Sequence, residues 1–481
     1  MRVLHNCAFI FVGTLMNLVM PDVFADEADL PLATNDATIL YATQTTADEG
    51  ETEVLASHKV INGTAHFTWD ADAVVPGDYL VIVNYSSDLG DVRLEAASAA
   101  SSVAGTLGPT PRMFPATDLW YQRSFARHQL PGSLRVRAGD KAIGLTVTPA
   151  SAEDIVAVRA LELLPTSDVA DARAEIESAE LGRPEAEWFS DLRYGLMFHW
   201  TSQAAPRSGA SLDYATAVKE FNVQAFVQMV DSTGADYIIF TTNHADPHFP
   251  APLDDWEQLH PGQTTQRDLI REIAGALAQH DIKLILYFAT HVYADLEDAN
   301  EEHFVDANIR LLSEVGNRYG RSVVGYWLDG WYQAAEKYGK LPYEEIYRAS
   351  KAGNPDRLLA LNSWIYPIVS PWQDYWAGET YSIPTEPSAR ISENGPGAGL
   401  RYHALLALEG GWVHTEHDTA IPAPVLETDK LLEFIDASAG KGPVTLNVLI
   451  YQDGTISELS MNVLKKIRDH LSAEFLSAEL H

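Results

Sequence analysis

Between residues 187 and 475, short apolar runs alternate with stretches of helical periodicity, and this alternation narrows the choice of fold more than any other feature. Parallel strands cannot be joined by a tight turn, so each needs a crossover, usually a helix. Eight runs have the apolar, β-branched or aromatic character of buried strands. They are GLMFHW (195–200), YIIFTTNH (237–244), KLILYFATH (283–291), VVGYWLDG (323–330), LLALNSW (358–364), DYWAGE (374–379), GGWVHTE (410–416) and VTLNVLIY (444–451). Helical runs at 217–232, 267–280, 302–318 and 343–352 fall between them. Eight such units predict a (β/α)8 TIM-like barrel, with a doubly wound open sheet as the alternative. The fifth-to-sixth connection is the exception, since little in 365–373 reads as helix.

The chain ahead of this region has a different rhythm. Residues 30–165 hold ATILYAT, TAHFTWD, GDYLVIVNYSS, DVRLEA, GSLRVRAG and KAIGLTVTP, punctuated by Pro76-Gly77, Leu89-Gly90 and Gly139-Asp140. Short strands between turn residues, with no amphipathic helix, predict an antiparallel, jelly-roll-like β-sandwich. It resembles the carbohydrate-binding modules attached to glycosidases. Trp69, Trp120 and Tyr121 are its candidates for stacking on sugar, with core packing the commoner use of such rings. Residues 166–186, rich in Asp, Ala and Glu, read as a linker helix.

Residues 1–25 read as a secretory signal peptide. Arg2 is followed by an apolar run over 7–20 and by Val23-Phe24-Ala25 before the expected cut. The mature chain is therefore expected to be secreted or periplasmic. No later run stays apolar over the ~18 residues that a membrane-spanning helix needs. The only cysteine, Cys7, falls in the leader, which leaves no disulfide and no thiolate metal ligand. Against 33 Lys and Arg stand 67 Asp and Glu, a net charge of −34. That field repels nucleic acid, anionic membranes and heavily sulfated glycans. No oligomeric state can be read from the chain.

In a parallel barrel, function is built at the C-terminal ends of the strands. Here the first run ends in His199-Trp200, and the second in Asn243-His244 with Asp246 and His248 beyond. The third carries Tyr287 and His291, and the fourth ends Trp327-Leu328-Asp329-Gly330-Trp331. The fifth ends Asn362-Ser363-Trp364, the sixth in Glu379, and the seventh carries His414 and Glu416. Aromatic faces stack on sugar rings, and His and Asn bind hydroxyls. Two carboxyl groups can share the acid and nucleophile roles, so the set suits glycoside hydrolysis. A metal-dependent hydrolase built on His199, His244, His248, His291 and Asp329 is the competing chemistry. Pro247 between potential ligands, and the absence of a His-x-His pair on the first strand, weigh against it.

The order of these pieces resembles glycoside hydrolase family 29, the retaining α-L-fucosidases, over residues 185–470. Tyr194-Gly195-Leu196-Met197-Phe198-His199-Trp200-Thr201 looks like the family's opening strand. Glu220-Phe221-Asn222, Thr233-Gly234-Ala235-Asp236-Tyr237 and Thr241-Thr242-Asn243-His244-Ala245-Asp246 follow in the family's order. Arg267-Asp268-Leu269, Tyr287 and Tyr326-Trp327-Leu328-Asp329-Gly330 come next, then Leu446-Asn447-Val448 and Asp453-Gly454-Thr455-Ile456. The resemblance implies that Asp329 is the nucleophile. It also implies an acid/base carboxyl, for which Glu379 is the first choice and Glu416 and Glu393 are reserves. His199, Trp200, His244, Asp246, Tyr287, His291, Trp327 and Trp364 would line the sugar site. The implied substrate is a glycan ending in α-L-fucose or a relative such as α-L-galactose, with no metal or organic cofactor.

Four departures bear on the sugar pocket. Ala245 stands where the family has a second histidine, and Pro247-His248-Phe249 replaces its Gly-Phe. Ser363-Trp364 stands near the expected arginine, and Gly411-Trp412-Val413-His414 replaces a Ser-Trp-Gly-Tyr. Scaffold and nucleophile therefore carry over better than sugar identity. A glycan-binding barrel without turnover is the non-enzymatic alternative.

Overall fold

A computed structural model describes residues 37–478 other than 73, 89, 111–124, 381, 382, 385–396 and 398. The expected signal peptide with Cys7, together with Trp120, Tyr121 and Glu393, lies outside the described residues.

Ten strands form the N-terminal part: β1 (Thr38–Tyr41), β2 (Ala47–Leu55), β3 (His58–Asp70), β4 (Gly77–Ser87), β5 (Val92–Ala97), β6 (Ser102–Leu107), β7 (Ala126–Gln129), β8 (Leu134–Val136), β9 (Ala142–Pro149) and β10 (Ile155–Pro165). They pair in the order β6-β5-β9-β3-β10-β4-β7, with β1 on β10, β2 on β3 and β8 on β4. Every pairing is antiparallel. The antiparallel part is as expected, and its ten strands are joined in one hydrogen-bonded sheet. The long strand β3 pairs with β10 over residues 59–62 and with β9 over residues 65–70. One sheet is thereby carried around a single core of alternating side chains such as Val81, Val83, Leu94, Leu145, Val147, Leu161 and Leu163. Trp69 belongs to that core, and its indole N–H donates to the Tyr41 carbonyl at 2.7 Å. It is not a surface for sugar. Strand β10 carries a bulge, since its register against β4 jumps from Val158 to Ala160 and leaves Arg159 unpaired in the ladder.

After the helix Val169–Gly182 come eight strands: β11 (Tyr194–Phe198), β12 (Tyr237–Thr241), β13 (Lys283–Ala289), β14 (Gly325–Asp329), β15 (Leu358–Leu361), β16 (Glu379–Thr380), β17 (Ala404–Ala407) and β18 (Val444–Asn447). All pair in parallel in the order β15-β14-β13-β12-β11-β18-β17-β16. This is the neighbour order of the expected barrel, opened at one seam. Among the described residues no ladder joins β15 to β16. The seam is bridged instead by residues just ahead of β16. The Asp374 N–H donates to the Leu359 carbonyl (2.8 Å), and the Leu359 N–H donates back to Asp374 Oδ2 (2.7 Å). The Leu361 N–H donates to Gln373 Oε1 at 3.1 Å. Lys351 (2.6 Å) and the Tyr347 hydroxyl (2.6 Å) hold the Asp374 carboxylate in place.

A correction concerns the seventh strand. It is Ala404–Ala407, not residues 410–416, which form turns and loop. An Ala-Leu run reads as helix by propensity, but burial on both faces of a parallel sheet overrides that preference.

Side chains alternate across the sheet. One set, including Leu196, Phe198, Phe240, Leu286, Phe288 and Leu328, packs against the helices. The other, including Met197, Ile239, Ile285, Tyr287, Trp327, Ala360, Tyr375 and Leu405, forms a separate inner cluster. Gly195 is required in β11 because the Tyr237 ring fills the space a Cβ would take. Two of the sequence pieces noted above are helix caps. Asn222 accepts from the Ala225 N–H (3.1 Å), and Asp268 from the Arg271 N–H (3.0 Å). Each such cap is worth about 1 kcal/mol.

Candidate active site

The inward-facing alternation continues past the strand ends. It brings His199, Tyr287, Asp329, Asn362, Glu379 and Asn447 together at the C-terminal edge of the sheet. Asp329 closes β14. Its Oδ1 accepts from the Gly330 N–H (2.8 Å) and from Asn362 Nδ2 (2.9 Å), and its Oδ2 accepts from the Tyr287 hydroxyl (2.8 Å). Three donors fix the carboxylate, and Oδ2, with one of them, keeps the freer lone pair. Gly330 adopts φ +85°, and a Cβ there would stand 2.7 Å from His291 Nδ1. The turn after Asp329 therefore needs glycine.

Glu379 opens β16. The same Asn362 Nδ2 that donates to Asp329 also donates to Glu379 Oε2. Two hydrogen bonds from one nitrogen hold their acceptor oxygens within roughly 6 Å of each other. The Glu379 residue as a whole is only half-buried, but its carboxyl is enclosed. Desolvation first, and the charge of Asp329 second, raise its pKa to about 8, against the lowering effect of the Asn362 hydrogen bond. Two neighbouring carboxyl groups are thus split, one kept protonated at neutral pH by its surroundings.

The opposite wall is built by imidazoles. His199 Nδ1 lies 2.7 Å from Asn447 Oδ1, while Asn447 Nδ2 donates to the carbonyls of Gly411 (2.9 Å) and Trp412 (3.1 Å). With both amide hydrogens engaged, the Asn447 oxygen must accept, which puts the His199 proton on Nδ1 and leaves Nε2 as an acceptor. Burial lowers the His199 pKa to about 3, so the ring is neutral. It packs against His244 (5.2 Å between centroids), Tyr287 (5.0 Å) and Trp412 (5.8 Å). Burial likewise lowers the pKa of His244. Nδ1 of His244 and of His291 are buried without a hydrogen-bond partner among the described residues. Unsatisfied buried nitrogens beside a pair of carboxyl groups are what a polyhydroxylated ligand would satisfy.

Other expected site residues fall elsewhere. Trp327 lies under the site, stacked on Tyr287 at 5.2 Å and donating to the Ala377 carbonyl at 2.9 Å. Trp200 has the wrong alternation: it packs outward on Phe221 and Phe240 and donates to the Gln452 carbonyl. It therefore does not line the pocket. Asp246 sits on the rim, paired with His248 (2.6 Å) and bonded by the Ser202 hydroxyl. Trp364 is half-buried beside Asn362, with φ +52°. Glu416 is exposed on the loop beyond the true seventh strand. Among the described residues no three His, Cys, Asp or Glu side chains are grouped as metal ligands.

Three contributors, Asn362, Asn447 and Trp412, stand in the sequence motifs but are given no role in the site there. Asn362 and Asn447 stand at strand ends with inward alternation, a signal that was present in the sequence. Trp412 was masked by taking its segment for strand.

The family model described as alpha-L-fucosidase matches residues 212–474. The human tissue alpha-L-fucosidase is 23% identical over 197 residues, which is 32% of this chain and 41% of that protein. A putative alpha-L-fucosidase of Caenorhabditis elegans is 22% identical over 222 residues, 38% of this chain and 45% of that protein. The chain thus spans less than half the length of these curated relatives. Among solved structures, alpha-L-fucosidase AlfC from Lactobacillus casei with alpha-L-fucose product aligns at TM-score 0.44 and 16% identity, covering 60% of this chain and 98% of that one. The endo-fucoidan hydrolase MfFcnA9 of glycoside hydrolase family 107 aligns at TM-score 0.47 and 14% identity, covering 61% and 64%. With the family model spanning more than half of its length, the chain belongs to the alpha-L-fucosidase family.

Proposed function

We propose that this protein is an exported, retaining exo-glycosidase that removes terminal α-L-fucosyl residues from glycans. The observation that carries the reading is the single amide nitrogen of Asn362 shared by Asp329 and Glu379. It keeps Asp329 Oδ1 and Glu379 Oε2 within roughly 6 Å of each other, which supports a retaining pair (~5–5.5 Å between carboxyl groups) over an inverting one (~6.5–9.5 Å). Asp329 Oδ2 attacks the anomeric carbon as its bond to the leaving oxygen breaks. Glu379 gives that oxygen its proton, and a glycosyl ester on Asp329 remains. Glu379, now ionised, takes a proton from water, whose oxygen displaces Asp329 from the anomeric carbon. Two inversions give net retention. Neutral His199 accepts a sugar hydroxyl at Nε2, and His244 and His291 offer further polar contacts. No cofactor enters either step. Residues 1–25 act as the export signal in the same reading.

The direct test is proton NMR of an aryl α-L-fucoside during hydrolysis by the purified protein. Free α-L-fucose should appear first and mutarotate later. Immediate appearance of the β anomer would replace this mechanism with inversion. Ala245 and Trp364, at positions that depart from the family pattern, favour one second reading, a related sugar such as α-L-galactose. A faster aryl α-L-galactoside would establish it.

Asn362→Ala should lower kcat about 10–100-fold, since hydrogen bonds to charged groups contribute about 1.5–3 kcal/mol each. It should also move the alkaline limb of the pH profile upward, because the lost donor favours ionised Glu379. A profile that stays in place would remove Asn362 from this role.

A further inference from the structure

The two parts of the chain meet beside the carboxyl pair. Arg159, the bulged residue of β10, is buried to 1% exposure. A bulge re-aims the side chain it carries, and this one points out of its own sheet. Arg159 donates from Nη2 to the Tyr332 carbonyl at 3.1 Å, and its guanidinium lies 4.1 Å from the Tyr366 ring centroid. Among the described residues its Nε and Nη1 have no hydrogen-bond partner. A buried cation without a carboxylate partner is costly, so the position calls for a role. The Ser57 N–H (3.1 Å), in the turn between β2 and β3, and His58 Nδ1 (2.7 Å), at the start of β3, hold the Tyr366 hydroxyl.

What these groups support is a set of three rings. Tyr332 and Trp364 lie 5.7 Å apart, Trp364 and Tyr366 5.8 Å, and Tyr332 and Tyr366 5.6 Å. Tyr366 is buried, whereas Tyr332 and Trp364 keep exposed surface. Trp364 is held at φ +52°, a conformation unfavourable for a bulky residue. Its N–H donates to Asn362 Oδ1 at 2.9 Å, the amide whose nitrogen spans the two carboxyl groups. Tyr332 stands near enough to Asp329 and Glu379 that, after burial, their charges push its phenol up. Backbone strain maintained next to reacting groups points to function.

We propose that Tyr332 and Trp364 form a leaving-group subsite for a neutral pyranose ring, with the N-terminal sheet as its back wall through Arg159 and His58. The subsite rests on the glycosidase reading above. It takes the sugar from which the terminal residue is cut, stacking its apolar face on the accessible parts of these two half-buried rings. The N-terminal part is then a structural half of the active site and not a detachable glycan-binding module.

The test compares kcat/KM for α-L-fucosyl fluoride, which places no sugar in this subsite, with that for the best-cleaved of a set of α-L-fucosyl disaccharides. Trp364→Asn tolerates the positive φ while removing the ring, and Tyr332→Leu is an independent second variant. Each should lower the disaccharide-to-fluoride ratio about tenfold. Arg159→Met should lower the same ratio chiefly through a higher KM for the disaccharide, with Arg159→Lys partly restoring it. Turnover of both substrates with an unchanged ratio in all these variants overturns the subsite alone. A wild-type protein that leaves the fluoride intact overturns the glycosidase reading and the subsite with it.

Discussion

Asp329→Ala should reduce hydrolysis of an aryl α-L-fucoside by about ten-thousand-fold or more, the scale on which removing a nucleophile is felt. The side chain has no substitute. Its three donors, Tyr287, Gly330 and Asn362, are fixed by the strands that carry them and can orient only what Asp329 presents. Alanine leaves a gap under the anomeric carbon, and azide should fill it. Azide attack from that side inverts the centre once, so the product should be the β-configured glycosyl azide. Asp329→Asn fills the same space without the charge and should be equally slow, with no rescue by azide. Activity of Asp329→Ala within about tenfold of wild type would end the assignment.

Much of this site was legible in the sequence because alternation decides which strand residue faces inward. His199 follows Met197 by two positions, Asp329 follows Trp327 by two, and Glu379 follows Ala377 by two, all on the inner set. The same rule read strictly would have sent Trp200 outward with Phe198, where it lies. The chain was less legible where packing overrides propensity. Ala404–Ala407 has a helical composition and is strand, while the aromatic and β-branched segment after it is loop. At the seam between β15 and β16, Asp374 and Gln373 supply by side chain what a ladder would supply by backbone. No periodicity signals that. Asn362 was visible as a strand-end residue, but its double hydrogen bond depends on three strands meeting. It is 33 residues from one carboxyl partner and 17 from the other. Arg159 was hidden more deeply, since a bulge in one part of the chain has meaning only against the loops of the other.

Glu379→Ala separates the two carboxyl roles most sharply, and its signature differs in kind from that of Asp329→Ala. A natural sugar leaving group needs its oxygen protonated, so its hydrolysis should fall by about a thousand-fold or more, general acid catalysis supplying about 100–10,000-fold. A dinitrophenyl α-L-fucoside needs no such help to form the glycosyl ester. It should react quickly to the ester and then stall, because no base activates water. Azide, needing no base, should relieve the stall, and as it enters after one inversion the product should be the α-configured azide. The two alanine variants thus yield opposite anomers, and the stereochemistry alone assigns the residues. The pH profile adds the sign. Glu379 must hold its proton to act as acid, and its pKa is raised above the usual carboxylate value. Wild-type kcat/KM on a sugar leaving group should therefore persist through neutrality and fall as pH rises past about 8. That limb should vanish in Glu379→Gln. In Asp329→Asn the second-largest cause of the shift is gone, so the Glu379 carboxyl, followed by carbon NMR, should titrate at a lower pH than in wild type. If it titrates where it did before, the two carboxyl groups are not coupled as described, and the acid must be sought elsewhere.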